Sequence, residues 1–147
     1  MNLHRSSYFP LLALLLVTQP CMAQSPDAGV ADELRSISRD INKSLPLQID
    51  RDKMLEVTAA IQSTLIFKYK FTDETAINDP RFDKHKYVAH LRTSLGESTC
   101  KDAGTFELLQ RGAKYNYLFI NKRGLQVIDF TLDARVCSDY RRQAGLR

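Results

Sequence analysis

Cysteine is the residue whose chemistry this chain could use most directly, and the fate of its three copies depends on where the chain is cut. Arg5 supplies a positive start, residues 9–17 an apolar run broken only by Pro10, and Cys21-Met22-Ala23 the small residues at −3 and −1 that a signal peptidase reads. This predicts a leader over residues 1–23, removed after Ala23, so that Gln24 begins the mature protein and Cys21 is lost. Pro20 stands where a lipid-anchor site wants Gly, Ala or Ser, so acylation of Cys21 is not expected. Cys100 and Cys137 remain as an even pair in an oxidising compartment, which predicts a disulfide between them. Closing a loop of about 37 residues would stabilise the fold by roughly 3–4 kcal/mol.

Other reactive residues are sparse. His85 and His90 lie five apart on a predicted helix, about 140° from each other around its axis, so one metal is poorly placed to use both. Neither HExxH nor paired CxxC spacing occurs, and no GxSxG elbow marks a serine nucleophile. No metal and no cofactor are expected. Asp129 and Asp133 on one predicted strand, with Asp50, Asp52 and Glu56 near another, are the carboxylates from which a glycosidase-type acid and base could be drawn. Such strand carboxylates more often serve as solubilising charges.

The aromatic residues carry more weight. Phe67, Tyr69 and Phe71 match Tyr115, Tyr117 and Phe119 in kind and spacing, a heavy allocation for a chain without Trp. Most belong in a core, yet the segment 114–120 is apolar on both alternating faces. Either its tyrosines or its leucine and isoleucine are therefore left for a partner. Tyr69, Tyr115 and Tyr117, bordered by Lys68 and Lys70, are the candidate partner-binding residues, because a tyrosine ring offers area while its hydroxyl stays hydrated.

The elements that must position these residues follow from periodicity. Residues 24–29 are polar and read as a linker. Val30, Leu34, Ile37, Ile41 and Leu45 then form one helical stripe, stopped by Pro46. Leu55, Val57, Ala59 and Ile61 alternate, as do Leu65, Phe67, Tyr69 and Phe71, which predicts a hairpin turning at Gln62-Ser63. Asp79-Pro80 is expected to open a second helix carrying Val88, Leu91 and Leu95 and ending at Gly96. A third, over about 104–111, buries Phe106 and Leu109, with Asp102 or Thr105 as cap. Strands over 114–120 and 125–136 flank a turn whose Gly124 takes the left-handed position. The polar tail 138–147 is expected to be disordered and basic.

The predicted fold is therefore α+β: a four-stranded antiparallel sheet with three helices on one face, in the order α-β-β-α-α-β-β, with one disulfide and a single domain over residues 30–137. After the leader, 124 residues suffice for one core. The formal charge of +4 falls to +3 when Arg5 leaves, and basic and acidic residues alternate without forming a stripe. That pattern, with export, argues against a nucleic-acid partner, and membrane contact is not expected.

The run Ser44-Leu45-Pro46-Leu47-Gln48-Ile49-Asp50, the strand Phe67-Lys68-Tyr69-Lys70-Phe71, Cys100, Gly112 before Tyr115-Asn116-Tyr117, and Cys137 resemble a pattern of small exported bacterial proteins of unassigned function. Those share a Leu-Pro-x-x-Ile-Asp lead-in, a Tyr-rich strand and two cysteines. The resemblance spans about residues 34–137 and brings no catalytic residues. With it, the sequence predicts a non-enzymatic periplasmic binding protein of the inhibitor or toxin-immunity kind that occludes a protein partner. The alternatives are an accessory subunit of an envelope or secretion assembly and, third, a small carboxylate-based hydrolase.

Overall fold

A computed structural model of the chain describes residues 28–145; the predicted leader, residues 24–27 of the linker and the last two residues lie outside them. Helix α1 (Ala28–Asn42) forms where the stripe predicted it, and Val30 and Leu34 are fully buried. A two-residue strand β1 (Leu47–Gln48) follows Pro46, pairing antiparallel with the start of β2 (Lys53–Ile61). Strand β3 (Thr64–Phe71) completes the first hairpin, whose turn places Gln62 at φ 52°, the left-handed conformation that two-residue hairpin turns require.

Helix α2 (Lys84–Lys101) starts four residues later than predicted. Asp83 is its N-cap, accepting from the Lys86 amide at 3.1 Å, while Asp79 spends its carboxylate on the backbone and side chain of Arg81. Gly96 does not stop it, because Tyr87, Leu91, Leu95 and Thr99 continue one inward stripe through that position. Cys100 therefore sits on the last turn of α2, not in a link. Helix α3 (Ala103–Gln110) is capped by Asp102, and strands β4 (Lys114–Ile120) and β5 (Gln126–Leu132) flank a turn with Gly124 at φ 80°.

The expected four-stranded antiparallel sheet with three helices is corrected in three respects. The sheet has five strands in the order β1-β2-β3-β4-β5, and β3 and β4 run parallel. Parallel neighbours need a long crossover, and α2 with α3 supplies it by carrying the chain back to the starting end of β3. The last strand ends at Leu132 instead of Val136, because Asp133 caps a fourth helix, α4 (Ala134–Gln143), accepting from the Val136 amide at 3.0 Å. Residues 138–143, expected as part of a disordered tail, belong to that helix. Cys137 and Tyr140 face inward on it, and Arg141 lies 4.6 Å over the Phe106 ring while donating to the Cys100 carbonyl. The predicted disulfide joins Cys100 to Cys137, with Cα atoms 5.1 Å apart, and ties α2 to α4.

A bulge at Glu56 also changes which residues of β2 face the core. Leu55 pairs with Tyr69, but Val57 pairs with Lys68, so beyond the bulge Thr58 points inward while Val57, Ala59 and Ile61 point outward. Thr58 is then met by α1: Ser38 Oγ lies 3.0 Å from its hydroxyl, and the Asn42 side-chain amide pairs with both its backbone N–H and its carbonyl at 2.8 Å. Asn42 thus takes the place of a neighbouring strand where β1 ends, satisfying an edge that would otherwise be open. Helix α1 covers β2 and β3, α2 lies over β4 and β5 through Thr99 on Tyr117 and Arg92 on Phe130, and α4 packs on α2 and α3.

Candidate functional site

The register places Tyr69, Tyr115 and Tyr117 on the helix-covered face, with Lys68 and Lys70 on the other. Five residues predicted to form one patch are therefore separated by the sheet. The tyrosines are 9 %, 7 % and 4 % exposed, and Tyr69 borders the cleft described below. All three belong to the core. Phe67 stacks on Tyr117 at 5.2 Å, Tyr69 on Phe119 at 4.8 Å, and Tyr117 on Phe130 at 5.2 Å between ring centroids. The Tyr117 hydroxyl is 2.8 Å from Thr99 Oγ1, and burial pushes its pKa up to about 12. Burial raises Tyr69 and Tyr115 in the same direction.

A cleft of about 270 Å³ opens over β3 on the helical side. Tyr69 and Phe119 lie at its floor, Tyr87, His90, Leu91, Ser94 and Leu95 of α2 form one wall, and Ile49, Asp50 and Lys53 form the other. Lys53 Nζ is 2.6 Å from Asp50 Oδ2 at this second wall. Burial opposes both charges, yet the Lys53 ammonium, with the Asp52 and Lys53 amides, holds Asp50 below its ordinary pKa. Bonds to Asp50 and Tyr87 keep Lys53 above its own. The pair is ionic. Ile49 is half exposed beside it, as is Leu47 on β1. The cleft thus offers an apolar interior of leucine and aromatic side chains with an ion pair and His90 beside it, an arrangement suited to apolar side chains of a peptide segment.

The groups considered for catalysis are distributed differently. Among the described residues no three His, Cys, Asp or Glu side chains gather as a metal site. His85 and His90 are both exposed on α2. Asp133 is a helix cap, Asp129 accepts from Asn116 on the face away from the helices, and Glu56 lies between Lys68 and Lys70. Sequence reasoning named Leu91 and Leu95 as core and missed the cleft they line. The signal was present in the neighbours of that stripe, Tyr87 and His90, and in Leu47 and Ile49, apolar residues beside Pro46 with no helix to join.

No protein-family model matches the chain, and no curated protein matches it. Solved structures do share its fold. A Pseudomonas aeruginosa protein provisionally classed as secreted is 23 % identical with a TM-score of 0.65, covering 78 % of this chain and 98 % of its own. The type II secretion system pilotin EpsS of Vibrio vulnificus is 16 % identical with a TM-score of 0.60, covering 74 % and 92 %. The pilotin AspS of Vibrio cholerae is 18 % identical with a TM-score of 0.57, covering 74 % and 93 %. At these identities the likeness is one of fold. The chain therefore shares its architecture with small proteins of bacterial export and secretion.

Proposed function

We propose that this protein is an accessory subunit of an envelope or secretion assembly, exported by its leader to the periplasm, where it docks a segment of a larger subunit in the cleft between α2 and the β1–β2 turn. The observation that carries this reading is a fold shared with pilotins from two species over nearly their whole lengths. The cleft adds a physical means: apolar walls for side-chain burial, a stacked aromatic floor, and a wall on α2, whose last turn the Cys100–Cys137 bridge ties to α4. The inhibitor or toxin-immunity reading is set aside, since neither the shared fold nor the surface points to a toxin. A carboxylate hydrolase has no support in the arrangement of Asp129, Asp133 and Asp50.

Co-purification from detergent-solubilised envelopes tests the proposal, using the full tagged chain expressed with its own leader. Ile49→Asp and Leu95→Arg each place a charge at the cleft wall, at residues that are exposed or half-buried. Both should retain a cooperative melt and lose the envelope subunits that the unaltered protein retains. Recovery of one small soluble toxin, or unchanged recovery by both variants, would overturn it.

A further inference from the structure

The sheet has a second face that no helix of the described residues covers. Reading across its register, Val57, Lys68, Leu118 and Asp129 form one row, and Ala59, Ile66, Asn116 and Thr131 the next. Lys70 and the buried Ile120 stand on one side of these rows, and Ile61, Thr64 and Lys114 on the other. Val57 is 38 % exposed and Ile61 58 %, while Ile66 and Leu118 are half-buried between them. Solvated faces of antiparallel sheets are ordinarily polar. Here the β2 and β3 half carries Val57, Ala59, Ile61 and Ile66, and its charged residues are Lys68, Lys70 and Glu56.

Charge decides what could cover it. Lys68 and Lys70 share a single acid, Glu56, at 2.9 Å and 3.9 Å. The nearer contact is a close ion pair and the farther one is beyond hydrogen-bond length, while each ammonium carries three N–H groups. Both ammonium groups therefore keep N–H donors to offer. Lys114 adds a third cation on the same face, whereas Asp129, the other acid, lies on β5 and accepts from Asn116. The half that is apolar is thus also the half with surplus positive charge.

We infer that this open face is a second protein-docking surface, distinct from the cleft, and that its occupant is a partner segment carrying acidic residues beside apolar ones. Its carboxylates meet Lys68 and Lys70 while its apolar side chains cover Ile66, Leu118 and Val57. Such a segment adds a third layer to a two-layer fold, burying apolar side chains that this face leaves wet. Partial desolvation of the two lysines strengthens the pairing and rejects basic competitors.

Photo-crosslinking tests this, with benzoylphenylalanine at position 118 or 66 of the full chain in cells and the joined peptides identified by mass spectrometry. The expected adduct is to a different protein, through a peptide in which Asp or Glu flanks apolar residues. It should fall about tenfold, the equivalent of about 1.4 kcal/mol, in a Lys68→Glu, Lys70→Glu double variant, and persist in the Lys68→Arg, Lys70→Arg control. Adducts only to a second copy of the chain, or none, overturn the inference. So does retention of the protein on phosphatidylethanolamine–phosphatidylglycerol vesicles with no protein adduct. Because Ile49→Asp reports on the cleft from the opposite side of the sheet, loss of envelope partners in that variant without a position-118 adduct would refute this inference alone.

Discussion

The two faces of one sheet are built from alternate residues of the same strands, and they behave as different materials. On the helical face every second residue of β3 and β4 is aromatic or Leu, stacked at 4.8–6.4 Å and closed over by helices. On the other, Ile66, Lys68, Asn116 and Leu118 stay within reach of solvent. The difference teaches that a residue's capacity for chemistry does not reveal its use. The tyrosines are buried in the core, with Tyr69 at the cleft floor, while lysine, isoleucine and leucine are the residues that the open face leaves in reach of solvent.

Neighbours on β4 give the largest test of that contrast. Phe119→Ala removes a stacked core ring and should cost about 3–5 kcal/mol in urea unfolding, whereas Leu118→Ala, one residue away on the open face, should cost under about 1.5 kcal/mol. Equal losses would erase the distinction between the faces. Replacing Cys100 and Cys137 by Ala should cost about 2–4 kcal/mol and lower the melting temperature, since the bridge constrains the unfolded chain and holds α4 to α2.

Tyr117 sharpens the comparison through pH. Its folded pKa of about 12 lies above the ordinary value of 10, so between those values the native state holds the proton more firmly than the unfolded chain. Its contribution is complete below about pH 10 and is lost as pH rises toward about 12, roughly 2–3 kcal/mol in all. Melts from about pH 9 to about pH 11.5 should show that decline, and Tyr117→Phe should make it shallower, leaving the part due to Tyr69 and Tyr115, at a cost near 1 kcal/mol at neutral pH for the lost Thr99 bond. The smallest effect belongs to the open face. Lys70→Glu should alter stability by under about 0.5 kcal/mol, because its 3.9 Å pair with Glu56 is a third exposed and screened. A large loss there would make Lys70 structural.

Much of the chain was legible locally. The Val30-to-Ile41 stripe, both hairpins, the Asp102 cap, the Gly124 turn and the cysteine pair each depend on neighbours in sequence, on charge, or on the oxidising compartment that the predicted leader implies. The cleft was not, since Ile49 of the β1–β2 turn, Lys53 of β2, Leu91 of α2 and Phe119 of β4 line one space only after α2 crosses back over the sheet. The open face was half legible: the two apolar sides of 114–120 showed that one needed explaining, without saying which.

By itself the sequence determined the period of each element, the pairing of Cys100 with Cys137, and which side chains alternate along β3, β4 and β5. Tertiary structure decided their orientation. One extra residue at Glu56 reverses the faces of β2, and only the hydrogen bonds of Thr58 with Ser38 and Asn42 across the α1 interface show which arrangement results. The helical return through α2 and α3 makes β3 and β4 parallel, and the anchor at Cys137 holds in place a polar helix where local composition predicted disorder. Each is a long-range contact, and a local pattern fixes periodicity without fixing what lies across from it.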